Sequence, residues 1–469
     1  MTKASKRQFP PGPRPLPIIG NLHILNLKKP YETMLELSQK YGSIYSIHMG
    51  PRKAVELSGY ETVKDALVNH GDQFGERSQV PIFERIFEGK GITFSHGDTW
   101  KTVRRFSMTT LRNLGLGTEI TEDTIIEECQ HLIQYFESYR GKPFESKTEM
   151  NAAVANVMVS VLFGKRFDHQ DAQFMRHITM IGEIIKLFGT PSIALFNTFP
   201  ILGFLLRSHK TVLRSRDELF SFIRTFINHH HKFDKNDPRC FIDAFLVRQQ
   251  EEKDKSTDNF SDDNMVVLVS NLFVAGVETT ATTLRWGILL MMRYPEIQEK
   301  VHDEIAQVVG SAQPRIAHRA QMPYTDAVIH EVQRFANILP TGLPRATTTN
   351  VLFRNYYIPK GTEVIPLLSS VLWDQTQWET PDTFNPGHFL DSAGKFMKKK
   401  AFMPFSAGRR VCAGASLAKM ELFLFFTSLL QKFTFQPPPG ISHLDLDITP
   451  NFSFLNRPMP HKICALPRT

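Results

Sequence analysis

The pattern of apolar and polar positions predicts a mainly helical protein with a small β-rich part near its start. Beyond about residue 118 the apolar positions recur with helical spacing. Residues 31–110 instead mix helical pieces with two short strand-like runs, at 43–49 and 54–57. No composition shift divides the chain cleanly, so the pattern favours one large folded body.

Two helices in the second half have clear local signals at their ends. Ser261, followed by two aspartates, is a suitable N-cap for a long helix that we expect to reach about Tyr294, where Pro295 stops it. A second helical run is predicted from Ala415 to about Gln431. The motifs with the most distinctive chemistry lie inside the first helix and immediately before the second.

Two segments have the composition of membrane-contacting elements. Residues 10–20 read PPGPRPLPIIG, and this density of proline forces an extended, stiff arm, either a rigid terminus or a spacer between a membrane and the body. Residues 182–206 are apolar but interrupted by glycine and proline, which argues against one continuous helix. This segment either dips into a membrane interface or forms a buried connection. No run reaches about 18 consecutive apolar residues, so no membrane-spanning helix is predicted.

Composition and charge narrow the class of protein. The 469 residues are 42% hydrophobic and 22% charged, which excludes a disordered chain, a collagen and a small disulfide scaffold. The net charge of +8 favours an acidic partner or an anionic membrane surface. Nucleic acid is not expected, because no basic stripe is interleaved with aromatic residues. The 4 cysteines include no CxxC pair and indicate reduced thiols in a cytosol-facing compartment.

Cys412 stands in a distinctive local setting, because residues 405–414 read FSAGRRVCAG. Gly408 and Gly414 permit tight turns and the close approach of a flat ligand. We expect Arg410 and the N-terminus of the following helix to lower the pKa of the thiol and favour the thiolate. A thiolate held in this way acts either as a nucleophile or as a metal ligand.

This run fits the pattern F-x-x-G-x-R-x-C-x-G at every fixed position. It resembles the haem-binding loop of the cytochrome P-450 superfamily, in which the cysteine thiolate is the axial ligand of the haem iron. The resemblance covers nearly the whole chain and looks closest to the vertebrate microsomal family 2 group. It implies a mainly α fold with a small β-rich lobe, in which haem b lies between a long central helix and the loop carrying Cys412.

The resemblance also implies a domain organisation. Residues 1–20 would be a basic tail and a Pro-rich hinge, and residues 21–469 a single haem-thiolate catalytic domain. Members of this group normally begin with a membrane-anchoring helix. We therefore expect that an anchor before the hinge has been removed from this chain.

Glu331 and Arg334 form an E-x-x-R pair, a spacing that is common on any helix. The resemblance implies that this pair is buried near the haem and locked to a later arginine or histidine. His388 occupies that later place, and its imidazole can hydrogen-bond to the pair.

Residues 275–280 read AGVETT inside the predicted long helix. A glycine in a helix interior costs about 1 kcal/mol relative to alanine, and threonine hydroxyls bond back to carbonyls one turn earlier. These features predict a locally opened helix with room for water and a proton path. The motif resembles the oxygen-activation motif of the superfamily, which implies that Thr279 and Glu278 assist proton delivery.

Trp100 and Arg104 lie one turn apart on the same face of a predicted helix. The resemblance implies that both hold a haem propionate, and it gives the same role to Arg77 and Arg345. It also places Arg410 among the haem-binding residues. Guanidinium groups suit this role because they bind carboxylates bidentately.

The substrate-contact segments of the superfamily map onto a mainly apolar set of positions, which implies a lipophilic substrate, with Asn271 as a candidate orienting group. The implied pocket residues are Ile82, Phe83, Ile92, Phe94, Asn271, Phe273, Val274, Ala275, Leu339, Leu343, Phe452 and Phe454.

The resemblance implies a monooxygenase that inserts one oxygen atom from O2 into a xenobiotic, a fatty acid or a steroid at the cytosolic face of the endoplasmic reticulum. The chain has no flavin or nicotinamide fingerprint, so NADPH would act through NADPH–cytochrome P-450 reductase, with cytochrome b5 as a second candidate partner. The basic residues that would dock an acidic reductase are Lys398, Lys399, Lys400, Arg409 and Lys419.

Two alternatives remain open at this point. One is a haem-thiolate enzyme that needs no reductase, such as a peroxide-driven isomerase or dehydratase. The other is a haem-binding sensor or carrier without catalysis. The first class tends to lose the Glu278–Thr279 pair and the second has no need of it, and the chain retains both residues.

Overall fold

The computed structural model describes residues 8–114, 119–229, 237–252 and 258–468. Residues 1–7, in the predicted basic tail, lie outside the described residues. The helices of the described part are α1 (Pro30–Tyr41), α2 (Tyr60–Lys64), α3 (Pro81–Phe87), α4 (Gly97–Asn113), α5 (Glu119–Ser138), α6 (Lys147–Phe163), α7 (Ala172–Phe188), α8 (Pro191–Thr198), α9 (Ser208–His229), α10 (Phe241–Glu251), α11 (Asp262–Arg293), α12 (Pro295–Val308), α13 (Pro323–Ala336), α14 (Ser369–Leu372) and α15 (Ala415–Lys432).

The strands are short and come from both ends of the chain. They are β1 (Ile44–Met49), β2 (Arg52–Leu57), β3 (Glu76–Arg77), β4 (Arg345–Ala346), β5 (Val351–Phe353), β6 (Tyr356–Ile358), β7 (Glu363–Pro366), β8 (Phe433–Gln436), β9 (Pro450–Ser453), β10 (Leu455–Pro458) and β11 (Cys464–Pro467).

The β-rich lobe is built on a five-stranded sheet with strand order β1-β2-β7-β4-β3. Strands β1 and β2 form an antiparallel hairpin, and β7 pairs with β2 in parallel. Both strand-like runs of the sequence are therefore confirmed. The other strands form two-stranded antiparallel units, β5 with β6, β8 with β11 and β9 with β10.

The predicted long helix is confirmed as α11, at the centre of the helical body. The Ser261 hydroxyl accepts the N–H of Asn264 at 3.3 Å, and the helix ends at Arg293, before Pro295. Helix α11 packs against α6, α9, α13 and α15, and most of its side chains are buried. This position carries the motif at 275–280 into the protein interior.

The expected local opening of this helix is wrong. Helix α11 is continuous through residues 275–280. The Thr279 hydroxyl donates to the Ala275 carbonyl at 2.7 Å, one turn earlier, without breaking the helix. Gly276 instead allows close packing of α6, because a Cβ there would lie 2.6 Å from Sδ of Met158 on α6.

The apolar segment at 182–206 is divided between α7, α8 and a 3₁₀ turn, Pro200–Leu205. The turn is not a buried connection: Ile201 is 85% exposed and Phe204 71% exposed. By length and composition, α11 qualifies as a membrane span among the described residues, and the bent pair α7 with α8 as a second. However, 78% of the apolar 18-residue stretch of α11 is buried inside the protein, as expected of a core helix.

Candidate active site

The loop that carries Cys412 is closed on itself and held against a distant part of the chain. The Cys412 N–H donates to the Phe405 carbonyl at 3.1 Å. Gly408 adopts a φ of +72°, and a Cβ there would overlap the carbonyl oxygen of Leu67. Leu67 lies in the short π-helical segment Asp65–Asn69, so this segment fixes one side of the loop.

The Cys412 side chain is exposed, whereas the other 3 cysteines are buried. Protein atoms nevertheless surround the thiol, and burial raises its pKa, while the Gly414 N–H and the Arg104 guanidinium oppose this rise. Both observations fit a thiol that opens on an internal space. Ala275, in the middle of the buried helix α11, is also exposed.

The expectation that Arg410 lowers the pKa of this thiol is wrong, because its guanidinium is engaged elsewhere. It donates to Oε1 of Glu76 at 2.9 Å and to the carbonyls of Gly75 and Ser95 at 3.0 Å each. It also lies 3.7 Å from the centre of the Trp100 ring.

Four buried or partly buried arginines act on one another beside this loop. Burial lowers the pKa of Arg77 well below its usual range, and the charges of Arg345, Arg410 and Arg104 lower it further. Arg104 donates to the Val411 carbonyl at 2.7 Å. The arginines predicted from the sequence are therefore brought together, and two of them hold the Cys412 loop.

The second arginine that holds the loop is Arg345, which donates to the Ala407 carbonyl at 3.2 Å. Burial lowers the pKa of Arg345 to about 10, with a further contribution from Arg104. The acid that accompanies this cluster is Glu76. Burial opposes its ionisation, but hydrogen bonds from His96 and from backbone N–H groups, together with Arg410, lower its pKa to about 2.

Glu331 and Arg334 form a fully buried ion pair on α13, with 0% exposure of either side chain. Two guanidinium nitrogens of Arg334 donate to the two carboxylate oxygens of Glu331, at 2.8 and 2.7 Å. Three more hydrogen bonds link Arg334 to the carbonyls of residues 372, 381 and 383. His388 Nδ1 lies 3.2 Å from Oε2 of Glu331, so the predicted triad is assembled.

Three of the predicted pocket residues form one aromatic group. The rings of Phe83 and Phe94 stack at 4.1 Å, and Phe454 lies 6.2 Å from Phe83. Phe87 and Phe188 join the same group, at 6.0 Å from Phe94 and 5.0 Å from Phe83. The sequence patterns did not mark these two residues.

Other predicted pocket residues serve different surroundings. Phe452 packs on Tyr31, at 5.4 Å, in the cluster that joins α1 to the β-rich lobe. Phe273 is 0% exposed and meets Phe163 of α6. The rest fall in the main core, where Ile82 and Ile92 are buried and Val274, Leu339 and Leu343 are partly buried.

Asn271 holds the backbone of a loop. Its side-chain oxygen accepts the N–H groups of Ile92 at 3.1 Å and Thr93 at 3.0 Å, and its Nδ2 has no partner among the described residues. Two turns earlier on α11, Oδ1 of Asn264 accepts the N–H of Gly91 at 2.7 Å. These two asparagines fix segment 91–93 along the helix.

Comparison with known proteins agrees with this geometry. The family model for cytochrome P-450 matches residues 10–465. Cytochrome P-450 2K6 of Danio rerio is 50% identical over 97% of the chain and 90% of the relative's length. Cytochrome P-450 2K1 of Oncorhynchus mykiss is 50% identical over 98% and 92% of the two chains, and cytochrome P-450 2W1 of Homo sapiens is 44% identical over 98% and 94%.

The chain belongs to the cytochrome P-450 family. It is a haem-thiolate monooxygenase, and its cofactor is haem b. The expected fold, mainly α with a small β-rich lobe, is likewise confirmed. Among the three functions that the sequence left open, the family and its relatives favour the monooxygenase over the peroxide-driven enzyme and the sensor.

The residues of this P-450 fit its cofactor. Buried donors at Trp100 Nε1, Arg345 Nε and Arg410 Nη1 have no acceptor among the described residues. Buried cations and unpaired donors are unfavourable unless anionic acceptors satisfy them, and the two propionates of haem are such acceptors. The exposed Cys412 thiol and the open space beside Gly414, where a Cβ would meet nothing within 4 Å, complete the match.

Sequence patterns missed several residues of this P-450 site. Glu76 pairs with Arg410 across 334 positions of the chain, so no local spacing marks it. Asn151 and Arg457 both contact Glu278, from α6 and from β10. A buried acid in the predicted long helix required cationic or amide partners, but no local pattern identifies which distant residues supply them.

Proposed function

We propose that this P-450 oxidises a lipophilic xenobiotic, fatty acid or steroid with electrons that NADPH supplies through NADPH–cytochrome P-450 reductase. The observation that carries the proposal is the exposed Cys412 thiol on a loop held by the arginine cluster. The aromatic group around Phe83 and Phe94 supports an apolar substrate. Residues 21–469 would form the single catalytic domain, preceded by residues 1–20 as a basic tail and Pro-rich hinge.

Within this proposal, each residue has a distinct role. The haem, when bound to the Cys412 thiolate, supplies the oxidising chemistry. Trp100, Arg77, Arg104, Arg345 and Arg410 hold its propionates. The Thr279 hydroxyl positions a proton donor, since Oγ1 already lies beside the carbonyl of the exposed Ala275 one turn earlier on α11. Glu278 assists proton delivery.

Thr279→Ala should uncouple electron use from product formation. Without the Oγ1 hydroxyl, proton delivery falls, and we expect a loss of about tenfold or more in product per NADPH, with hydrogen peroxide released instead. The measurement compares NADPH consumed, product and peroxide. Thr283→Ala is the matched control. Like Thr279, Thr283 lies on α11 and its hydroxyl donates to a carbonyl one turn earlier, in this case that of Thr279. Equal coupling in the two variants would remove Thr279 from this role.

The surface near Cys412 supports an acidic electron donor. Lys398, Lys400, Arg409 and Lys419 are exposed. Partial burial lowers the pKa of Lys419, and the charges of Arg319 and Lys398 lower it further, so these three cations lie near one another. Such a patch speeds association with a negatively charged partner. Cytochrome b5 is a second candidate for the same surface.

Salt should therefore weaken turnover driven by the reductase. We expect the rate to fall steeply as ionic strength rises, because exposed charges are screened over about 10 Å at 0.1 M salt. Peroxide-driven turnover should stay constant. Lys398→Glu should lower the rate of reductase-driven turnover at low ionic strength, as salt does. Lys210→Glu, at the start of α9, should leave this rate unchanged. An equal salt response in the peroxide-driven reaction would contradict docking at this patch.

The exposed apolar turn at Pro200–Leu205 supports a membrane surface as a further partner, on the cytosolic face of the endoplasmic reticulum. Ile201, Phe204 and Leu205 are each more than half exposed, and exposed apolar residues in a row favour insertion at an interface. Flotation with phospholipid vesicles tests this part of the proposal, and failure to bind would overturn it.

A further inference from the structure

Glu278 sits in a buried polar cluster contributed by four elements. Its side chain is fully buried on α11. Oε2 accepts a hydrogen bond from Nδ2 of Asn151 on α6 at 2.9 Å. Oε1 lies 2.9 Å from Nε of Arg457 on β10, at an angle unsuited to a hydrogen bond, so this contact is an ion pair.

Arg457 is itself held in place on two sides. Its Nη2 donates to the Gly182 carbonyl of α7 at 3.1 Å, and its Nη1 donates to the Ser453 hydroxyl at 3.0 Å. A Cβ at Gly182 would lie 3.5 Å from Oε2 of Glu278, so α7 passes directly beside the carboxylate. The guanidinium is therefore oriented before it meets Glu278, which limits the positions that the acid can adopt.

A second buried arginine acts on this cluster. Arg285, on α11, is 7% exposed, and its Nη1 has no partner among the described residues. Burial lowers the pKa of Arg285 to about 10, an effect that Glu278 opposes and Arg457 strengthens. The electrostatic influence of Glu278 therefore extends about two turns along α11.

Four further titratable groups connect the cluster to its surroundings. Burial lowers the pKa of Lys147, an effect that Glu278 opposes and that Arg285, Arg457 and Lys186 strengthen. Glu145 acts on both Arg285 and His461. The side chains at positions 145 and 147 are exposed, whereas Glu278 and Arg457 are buried. The cluster therefore extends from the middle of α11 to the protein surface at the start of α6.

Resting on the proposed function, we propose that Arg457 is a positioning residue for proton delivery. With Asn151 it holds Glu278 as a carboxylate against α6 and α7, and so controls how efficiently protons reach Thr279. Glu278 takes up a proton from solvent, through the charged groups between this acid and the surface, passes it on toward Thr279 and so returns to the carboxylate. Arg457 touches neither substrate nor haem in this role and acts only through Glu278.

Arg457→Met tests this role, because it removes the cation and leaves the carboxylate buried beside a single amide. A buried carboxylate without a counter-charge takes up a proton. We expect a carboxylic-acid C=O band in the infrared difference spectrum of variant minus parent, and its loss in Arg457→Met/Glu278→Gln. We also expect product per NADPH to fall about tenfold, less than the roughly 10²–10⁴-fold contribution of a catalytic acid, because the acid itself remains.

Arg293→Met is the matched control. Arg293 lies on the same helix as Glu278, and its guanidinium donates to the His443 carbonyl at 3.3 Å rather than to an acid. Any general effect of losing an arginine should appear there without the infrared band or the loss of coupling. Arg457→Lys keeps the charge but not the fork of donors, so it should show no band and an intermediate coupling.

Two results would overturn the proposal. One is the absence of the carboxylic-acid band in Arg457→Met. The other is coupling equal to that of Arg293→Met although the band is present. If Arg457→Met does not fold, Arg457→Lys decides, since coupling equal to the parent would exclude a positioning role. Failure of the proposed function is distinct, because it would appear in the parent protein as absence of reductase-driven turnover.

Discussion

Cys412→Ala should abolish both the strongly red-shifted Soret band of the reduced carbon monoxide complex and all monooxygenase turnover. Both would depend on the Cys412 thiolate, which would hold the haem iron and supply electron density to it. The loop itself should survive, because the bond that closes it uses the backbone N–H of residue 412 and the Phe405 carbonyl. The expected loss is therefore chemical rather than structural.

The matched control is Cys464→Ala, since Cys464 is a buried thiol on β11. It should retain the red-shifted band and turnover. Absorption spectra of both variants, recorded after dithionite reduction with and without carbon monoxide, make the comparison. Retention of the band and of turnover in Cys412→Ala would contradict the assignment of the iron ligand.

Glu331→Gln should cause a large loss of stability. It leaves the Arg334 guanidinium buried without its counter-charge, and breaking a buried ion pair in this way typically costs about 3–5 kcal/mol. His388 loses its charged partner as well. The measurement is the free energy of unfolding in denaturant, followed by far-ultraviolet circular dichroism.

Glu379→Gln provides the comparison, because Glu379 is an exposed acid near the segment that Arg334 contacts. An exposed substitution of this kind should change the free energy of unfolding by at most about 0.5 kcal/mol. Equal values for Glu331→Gln and Glu379→Gln would mean that the buried pair does not stabilise the fold.

The sequence was most informative where the physical cause is local. The Ser261 cap and Pro295 defined α11 to within one residue at each end, because capping and the missing proline N–H act on neighbouring residues. The tight turn predicted from the glycines around Cys412 also has a local cause, because Gly408 adopts a left-handed backbone conformation that glycine favours. The spacing of Trp100 and Arg104 placed both on one helix face, and the Arg104 guanidinium lies 5.7 Å from the centre of the Trp100 ring.

The sequence was least informative where contacts join distant parts of the chain. Gly276 looked like a weak point of α11, but the absence of a side chain there makes room for Met158 on another helix. Phe452 is an aromatic residue in a segment predicted to line the pocket, yet its ring packs against Tyr31 of α1. Arg410 pairs with Glu76 on β3, and a strand of two residues is too short to show the alternation of apolar and polar positions by which strands are recognised.

The asparagine contacts along α11 separate the path of a loop from the identity of the side chains it carries, two properties that usually change together. Asn264 and Asn271 hold segment 91–93 through its backbone N–H groups, so their grip does not depend on which side chain stands at position 92. Gly91 is the exception, because a Cβ there would lie 2.5 Å from Oδ1 of Asn271. Selection can therefore alter the side chain of Ile92, and of Phe94 beyond it, while the loop keeps its path. Where these side chains line the proposed substrate pocket, a change in substrate preference therefore requires no change in the path of the loop.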